Sequence, residues 1–453
     1  MRPRPPGFSL ARGGAGSPGE TLTLRNRELV NLLLVGLLTA AGFTAVYVAR
    51  QDVVSAGSLS YAAFFLALFV AAHVILRFAL PNADPFLLPL GGLLTAVGLT
   101  MIYRIDPDLA LRQGLWVVVG LAAFALLVVF VRDYRTLDRY KYVLGLTAIF
   151  LLMLPAIPGL GRTINGANLW VGFGGLVFQP GEFAKVLLVV FLAGYLRDNR
   201  EVLSMGSGRF GMPSLKHFGP LLVIWGGAML VLFQTNDLGG GLLYFSIFLA
   251  MLWVATARWQ YVVVGLGLFA AGAYALYHVT PHVRERVSIW LDCSWAFSNA
   301  CPVYDQGYQL AQSIYAISGG GFFGEGLGRG VLLTPEGNTY IPYLQTDFIY
   351  AGIAQELGLA GAAGVVLLYI VFCYRGFKIA LQASDGFSKL LAVGLTAALG
   401  IQAFIIMGGV SGLIPLTGIT LPFVSYGGSS IVANFIVLAL LLMISDRVNR
   451  EGS

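Results

Sequence analysis

Charged residues are scarce in this sequence. Asp, Glu, Lys and Arg make up 11% of its 453 residues, whereas hydrophobic residues make up 57%. Because soluble domains carry about 25% charged residues, this composition excludes a water-soluble protein. The apolar runs are continuous and lack the period-two alternation of a transmembrane β-barrel. We therefore predict an all-α integral membrane protein whose helices cross the bilayer.

Cysteine and histidine are also rare, with three and four residues. His278 and His282 lack the spacing to Cys293 or Cys301 that a zinc site requires. These two cysteines lie close together in a polar segment, where an oxidising environment permits a disulfide. The sequence leaves open whether they are bonded. No Gly-Lys-Ser/Thr phosphate loop is present, and we expect no organic cofactor.

Twelve apolar runs are long enough to cross a bilayer when tilt and short ends are allowed. They comprise residues 29–49, 58–80, 85–103, 113–132, 140–157, 181–197, 218–233, 238–256, 259–278, 346–374, 388–410 and 428–446. The net charge of +6 comes largely from Lys and Arg residues in alternate connections, which the positive-inside rule assigns to the cytoplasm. We therefore expect a polytopic bundle of about 12 transmembrane helices with both termini cytoplasmic, and no nucleic-acid partner.

The other connections are then extracytoplasmic, at 158–180, 234–237, 279–345 and 411–427. They and the adjoining helix ends carry polar residues that a passive scaffold does not need, and that are candidates for binding a substrate. These residues are Arg162, Asn165, Trp170, Gln179, Glu182, Lys185, Asp237, Arg284, Arg286, Asp292, Asp305, Gln309, Gln312, Ser313, Thr346, Asp347, Glu356, Thr417, Ser425, Tyr426 and Ser429. Of these four connections, the largest, 279–345, holds most of the charged residues.

Each of these groups also has a structural interpretation. Glu182 and Lys185 share one helix face and form either a structural ion pair or a contact to a charged headgroup. Asp237 is either a helix N-cap or a ligand of a cation. Asp292 and Asp305 are either solvated loop residues or proton acceptors. The segment 415–430 is either a packing element or the lining of a cavity.

Six motifs occur in an order that resembles the SEDS family (shape, elongation, division and sporulation), the RodA/FtsW group. They are Asn165-Gly166-Ala167 with Trp170, Phe178-Gln179-Pro180 with Glu182 and Lys185, Asp237-Leu238-Gly239, Gly307-Tyr308-Gln309 with Gln312-Ser313, Thr346-Asp347-Phe348-Ile349 with Glu356-Leu357-Gly358, and Pro415-Leu416-Thr417-Gly418 through Ser430.

The resemblance implies a family core of ten helices at 85–446. Two extra helices at 29–84 precede it, with a disordered cytoplasmic N-terminus at 1–28 and a cytoplasmic tail at 447–453. It also implies a peptidoglycan glycosyltransferase in the bacterial cytoplasmic membrane. Such an enzyme polymerises lipid II, the undecaprenyl-pyrophosphate disaccharide-pentapeptide, at the outer face of that membrane for elongation or division. Its implied partners are membrane lipids and a class B penicillin-binding protein that supplies the transpeptidase.

The resemblance further implies an essential aspartate in the external loop just before Gly307-Tyr308-Gln309. Asp305 fits by nearness and order, and Asp292 is the second candidate; either would accept a proton from a sugar hydroxyl. The departing pyrophosphate needs cationic help from Arg284, Arg286, Lys185 or a divalent ion such as Mg or Mn, which the external carboxylates Asp237 and Glu182 could hold. The sequence departs from the family pattern at Gly181, where a serine is usual, and at Gln345, where a histidine is usual.

Two other classes of function compete with the enzyme. A lipid II flippase would use the polar loop as a gate, and a non-catalytic scaffold would only hold a penicillin-binding protein. The ionisable residues gather at one face, whereas a transporter is expected to place some at the bilayer midplane. This distribution favours the glycosyltransferase.

Overall fold

The computed structural model describes residues 18–51, 56–131, 133–164, 167–173, 176–205, 215–235, 237–293, 301, 304–305 and 307–451. Most of them are helical. The helices are α1 (Pro18–Gln51), α2 (Ala56–Ala79), α3 (Leu87–Ile105), α4 (Pro107–Phe130), α5 (Thr136–Arg139), α6 (Lys141–Met153), α7 (Pro180–Asp198), α8 (Arg200–Met205), α9 (Leu215–Gln234), α10 (Leu238–Thr256), α11 (Trp259–Val279), α12 (Pro281–Cys293), α13 (Tyr308–Gly319), α14 (Ile349–Gln382), α15 (Gly386–Val410) and α16 (Gly428–Glu451).

Each of the twelve predicted apolar runs coincides with a helix. Within the described part of the chain, nine helices are long and apolar enough to cross a membrane by length and composition: α1, α2, α3, α4, α10, α11, α14, α15 and α16. The apolar helices Lys141–Ala156 and Val223–Gln234 are shorter. The chain is therefore a multi-pass, mostly helical membrane protein, and the count of about 12 spans stays a prediction.

The prediction of an all-α protein was wrong for the connection before α7. Strands β1 (Gly161–Ile164), β2 (Ala167–Phe173) and β3 (Leu176–Phe178) form an antiparallel sheet in the order β1-β2-β3. Arg162 pairs with Trp170, and Val171 pairs with Phe178. Branched and aromatic residues favour strands, and the sequence pair Asn165-Gly166 is typical of a two-residue hairpin turn. This signal was available in the sequence.

The N-terminal segment is ordered further than we predicted. Helix α1 begins at Pro18, inside the segment 1–28 that composition marks as disordered. Arg25 and Glu28 are buried, and their side chains are paired at 2.6 Å. Glu28 Oε1 also shares a hydrogen bond of 2.7 Å with His73 Nδ1. Arg25 donates to the carbonyl of Ala83 as well. Because buried charges need partners, this network holds α1 helical down to its first turns.

The interior of the bundle is formed mainly by α3, α15 and α16, which are the most buried of the candidate spans, whereas α11 is the least buried. Helix α14 is kinked at Gly358, where φ is +67°. A side chain there would collide with the carbonyl of Phe322 and the amide of Gly324. The kink therefore lets the glycine-rich segment after α13 pack against α14.

Candidate active site

A buried ion pair lies at the first turns of α7. The Lys185 ammonium donates to Glu182 Oε2 at 2.7 Å, as the spacing of three predicted. Lys185 is 2% exposed and Glu182 is 8% exposed. Pro180 occupies the first position of α7, where its missing N–H removes no helical hydrogen bond. A charge pair this deep in a membrane protein is retained for a structural or functional reason.

Gln402 connects this pair to the segment 411–427, and sequence reasoning missed it. Its Oε1 accepts from Lys185 Nζ at 2.6 Å, and its Nε2 donates to the carbonyl of Thr420 at 2.9 Å. Gln402 lies in α15 and is fully buried. Thr420 Oγ1 in turn donates to Ser430 Oγ at 2.9 Å at the start of α16. One amide thus joins α7, α15 and the segment between α15 and α16.

Asp237 caps helix α10. Its Oδ1 accepts from the amide of Gly240 at 2.7 Å, which is the N-cap geometry. Burial raises the pKa of Asp237 to about 6, and the negative charge of Glu182 also raises it. The hydrogen bond from the Gly240 amide and the positive charge of Arg286 act in the opposite direction and lower this pKa. The acid is therefore within electrostatic range of both the α7 pair and α12.

Arg286 and Asp347 meet beside Gly418. A methyl group placed on Gly418 would lie 3.6 Å from Asp347 Oδ2 and 3.8 Å from Arg286 Nη2. Gly418 has a φ of +71°, a conformation that favours glycine, and the absent side chain leaves this space open. Burial raises the pKa of Asp347 to about 6, although Thr346 and Arg286 both lower it. Burial lowers the pKa of Arg286, whereas the negative charges of Asp347 and Asp237 raise it.

Helix α12 is fastened to the segment 411–427 by two long side chains. Arg286 Nη1 donates to the carbonyl of Leu416 at 3.0 Å, and Trp290 Nε1 donates to the carbonyl of Gly412 at 2.9 Å. These bonds hold the guanidinium of Arg286 within electrostatic range of both Asp347 and Asp237. Sequence reasoning proposed Arg286 as a cation for pyrophosphate, and its position in this cluster is compatible with that role.

The hydroxyl residues of 415–430 divide into anchors and one unpaired group. Ser425 Oγ donates to the carbonyl of Thr346 and accepts from Leu421 N at 2.9 Å, and Ser429 Oγ accepts from Gln179 N at 2.8 Å. Thr417 Oγ1 is buried and has no hydrogen-bond partner among the residues that the structure describes. Because a buried hydroxyl normally has a partner, Thr417 is a candidate contact for a ligand.

The backbones of Tyr426 and Gln345 are also joined, since Tyr426 N donates to the carbonyl of Gln345 at 2.9 Å. This bond and the Ser425–Thr346 bond attach the segment 345–347 to the start of α16. Thr346 Oγ1 itself donates to the carbonyl of Tyr343 at 3.0 Å. These bonds hold the backbone before Asp347, and the backbone after it enters α14 at Ile349.

Several other predicted contacts have structural partners. Glu356 accepts from Arg104 Nε at 2.8 Å and from the amide of Gly328 at 2.9 Å, so it pins the glycine-rich segment to α3. Ser313 Oγ donates to the carbonyl of Val410 at 2.8 Å. Arg284 donates to the carbonyl of His278 at 3.0 Å at the end of α11. These bonds explain why such residues occur here, and their predicted substrate contacts stay predictions.

The remaining predicted substrate contacts are Arg162, Asn165, Trp170, Gln309 and Gln312. Arg162 is exposed on β1 beside Trp170, and Asn165 lies outside the described residues. Gln309 Nε2 donates to the carbonyl of Pro342 at 3.5 Å, and Gln312 is half-buried on α13. The roles of these residues stay predictions.

The two acids that sequence reasoning ranked first lie at the end of α12 and in the loop that follows it. Asp305 is exposed in a turn and its carbonyl accepts from Tyr308 N at 3.1 Å. Asp292 is half-buried in the last turn of α12. Among the described contacts, neither carboxylate meets the cluster. Cys293 and Cys301 form a disulfide with Cα atoms 4.8 Å apart, so this bond precedes Asp305 in the loop.

The predicted cation at Asp237 finds an incomplete ligand set. Among the described residues, no group of three or more His, Cys, Asp or Glu side chains is arranged so that it could hold a metal ion. Asp237 Oδ1 is engaged by the Gly240 amide, and its nearest charged neighbours are one acid, Glu182, and one cation, Arg286. The described residues therefore fit an arginine-centred cluster better than a metal site.

Three comparisons with known proteins agree with one another. A family model described as cell cycle protein, for FtsW, RodA and SpoVE, matches residues 85–450. The peptidoglycan glycosyltransferase RodA of Mycobacterium bovis is 41% identical over 446 residues, covering 94% of this chain and 92% of that protein. The stage V sporulation protein E of Bacillus subtilis is 35% identical over 363 residues, covering 78% of this chain and 94% of that protein.

Solved structures give the same similarity. The rod shape determining protein RodA of Thermus thermophilus matches with a TM-score of 0.58 and 26% identity, covering 80% of this chain and 96% of that chain. A chain from work on the structural coordination of polymerization and crosslinking by a peptidoglycan synthase complex matches with a TM-score of 0.66 and 28% identity. It covers 81% of this chain and 98% of that chain.

Proposed function

This chain belongs to the FtsW/RodA/SpoVE family and is a peptidoglycan glycosyltransferase, and we propose that it polymerises lipid II at the outer face of the cytoplasmic membrane. The observation that carries the proposal is the cluster of Asp347, Arg286 and Asp237. Asp347 and Arg286 lie beside Gly418, and Asp237 lies within electrostatic range of Arg286; burial raises the pKa of both acids to about 6. A general base works best when its pKa lies near the operating pH.

Asp347 is the proposed base, in place of Asp305. Its carboxylate faces the open space beside Gly418, whereas Asp237 is occupied as a helix cap. Its side chain is half-buried, so it stays accessible to a substrate while its surroundings disfavour the charged form. The bonds that hold the backbone before Asp347 supply the positioning that proton transfer requires. The role of Asp305 and Asp292 stays a prediction.

The proposed reaction is a displacement at an anomeric carbon. Asp347 accepts the proton of the 4-hydroxyl of a GlcNAc unit, and that oxygen bonds to C1 of a lipid-linked MurNAc. The bond between C1 and the pyrophosphate oxygen breaks, and undecaprenyl pyrophosphate leaves with the electron pair. The proton passes to Asp347 and is later released to water, so the step balances without a redox partner.

Cationic groups are needed because negative charge develops on the leaving pyrophosphate. Arg286 is the candidate nearest the base, and Lys185 supplies a second positive charge at the first turns of α7. The hydroxyl of Thr417, unpaired in the described part of the chain, offers a donor to a phosphate or sugar oxygen. The proposed reaction uses no divalent ion, and the experiment below tests whether the enzyme requires one.

The membrane arrangement and the partner belong to the same proposal. With twelve spans and the basic connections in the cytoplasm, the cluster lies at the external face. The similar chain from a peptidoglycan synthase complex supports a partner that crosslinks the glycan, and a class B penicillin-binding protein has that activity. In this proposal, the partner determines whether the enzyme serves elongation or division.

The test is polymerisation of purified lipid II by the purified protein in proteoliposomes, with its partner transpeptidase present and with it absent. Glycan strands resolved on a gel are the expected product. Lipid II that crosses the bilayer without polymer would indicate a flippase, and cell-wall synthesis that survives loss of the cluster residues would indicate a scaffold. Loss of polymer with EDTA and its return with Mg²⁺ or Mn²⁺ would establish a cation requirement.

A further inference from the structure

A cavity of about 520 Å³ lies where α2, α4 and α16 end. Helix α16 begins at the candidate active site and runs 24 residues to this cavity, so the two lie at opposite ends of the bundle. Leu80, Val128 and Met443 form part of its apolar wall. Phe78 and Phe130 adjoin the lining residues Ala79 and Val129 in the sequence and are 82% and 74% exposed, so large apolar side chains suited to acyl chains are exposed at these helix ends.

The mouth of the cavity is charged with both signs. It is lined by the carboxylates of Asp133, Asp446 and Glu451 and by the guanidiniums of Arg447 and Arg450. Arg447 contacts Asp133 at 3.0 Å and Glu451 at 2.8 Å, and Arg450 pairs with Asp446. The side chain of Arg450 is nevertheless 63% exposed. An apolar wall beneath a mixed-charge mouth fits an amphiphile with a zwitterionic head.

We propose that this cavity binds the headgroup of phosphatidylethanolamine. The phosphate would contact the exposed guanidinium of Arg450, and the ammonium would donate hydrogen bonds to carboxylate oxygens, each of which accepts more than one bond. A purely anionic headgroup would add negative charge to a lining with three carboxylates and two guanidiniums. A phosphocholine head has the same charges but no N–H donors, so it lacks half of the contacts.

The position of the cavity gives the lipid a structural role. The connection after α2 is bonded to α16, since Asn82 N donates to Asp446 Oδ1 at 2.8 Å and Asp84 N donates to Ser445 Oγ at 3.0 Å. The cavity lies against this junction between α2 and α16. Helix α2 precedes the segment that the family model matches, whereas α16 belongs to that segment. A lipid bound there stabilises the attachment of α2 to the rest of the bundle.

The experiment compares lipids on delipidated full-length protein in non-ionic detergent. Phosphatidylethanolamine is expected to raise the unfolding temperature by several degrees and to stay bound as one copy in native mass spectrometry. Phosphatidylcholine and phosphatidylglycerol of the same acyl chains are expected to do neither. Arg450→Gln is expected to remove the effect of phosphatidylethanolamine. Lys378→Gln, an exposed residue of α14 that does not line the cavity, is expected to keep it.

Equal shifts with all three lipids would overturn the proposal, because they indicate general solvation of the apolar surface. An undiminished effect in Arg450→Gln would also overturn it. Glu451→Gln serves as a second variant if Arg450→Gln does not fold, and it is expected to weaken the response to phosphatidylethanolamine. None of these readouts uses polymerase activity, so failure here is separate from failure of the proposed function.

Discussion

Replacing Arg286 by glutamine is expected to shift the pH dependence of polymerisation. Asp347 acts as a base only when deprotonated, so the wild-type rate should fall roughly tenfold per pH unit below a pKa of about 6. Arg286 lowers the pKa of Asp347, because a nearby positive charge favours the carboxylate. Removing that charge therefore raises the pKa and moves the acid limb of the pH–rate profile to higher pH.

The size of the shift follows from the geometry beside Gly418. Asp347 Oδ2 and Arg286 Nη2 both lie within 4 Å of one point there. They are thus no more than about 8 Å apart, which at an effective dielectric constant of about 20 gives an interaction of about 2 kcal/mol. That energy equals roughly 1.5 pKa units, and residual screening by solvent brings the expected shift closer to about one unit.

The assay is the initial rate of lipid II polymerisation between pH 5 and pH 8.5 at constant ionic strength. Arg284→Gln is the matched control, because Arg284 lies on the same helix but donates to the carbonyls of Tyr277 and His278. We expect its profile to match the wild type. An acid limb that stays in place in Arg286→Gln, or a wild-type rate independent of pH through 6, would refute the assignment of Asp347 and Arg286.

Three further outcomes follow from other parts of the structure. Gln402→Leu should lower the polymerisation rate at least tenfold with the protein still folded, because Lys185 loses a partner. Gln402→Glu should restore part of that rate. An unaffected rate in Gln402→Leu would show that the Gln402 bridge does not contribute to catalysis. Glu356→Ala should destabilise the protein by about 3–5 kcal/mol, since it leaves Arg104 buried without its carboxylate; a thermal unfolding midpoint equal to that of the wild type would contradict this. Reduction of the Cys293–Cys301 bond should destabilise the external loop by about 2 kcal/mol, measured as faster proteolysis between α12 and α13, and an unchanged cleavage rate would count against it.

The helices were predictable because their physical signal is strong. Continuous apolar runs of membrane-spanning length coincide with helices throughout, and the spacing of Glu182 and Lys185 predicted their contact. The sheet before α7 was missed because its three strands are short and give only a weak alternating pattern, although Asn165-Gly166 is typical of a hairpin turn. The helical start of α1 was missed because composition does not reveal that Arg25 has a buried partner far along the chain.

The site was harder to predict than the fold. Asp347 was proposed as a substrate contact, but nothing in the sequence indicates that Arg286, from another external segment, lies next to it. Gln402 lies inside an apolar run, where a lone amide is easily overlooked. Asp305 ranked first through its nearness to a motif, and nearness along the chain does not specify which acid is desolvated. Contacts between segments far apart in the sequence determine which acid is desolvated and which residues are neighbours, and a local sequence pattern does not reveal those contacts.

The match to the Mycobacterium bovis protein covers 94% of the chain, so it must include much of the segment before residue 85. The family model begins only at that residue. The sequence match to that relative therefore extends into the segment that forms α1 and α2, and the buried Arg25–Glu28–His73 network lies outside the part that the family model matches. The lipid site proposed beside α2 would give this addition a physical role that can be measured.

The most direct test of the central claim compares Asp347→Asn with Asp305→Asn in the same proteoliposomes with purified lipid II. Both substitutions keep size and remove the negative charge, and thermal unfolding midpoints confirm that each variant is folded. We predict that Asp347→Asn loses polymerisation by roughly 10²–10⁴-fold, the usual contribution of a general base, while Asp305→Asn retains most of it. Glycan strands at wild-type levels from Asp347→Asn would contradict the account.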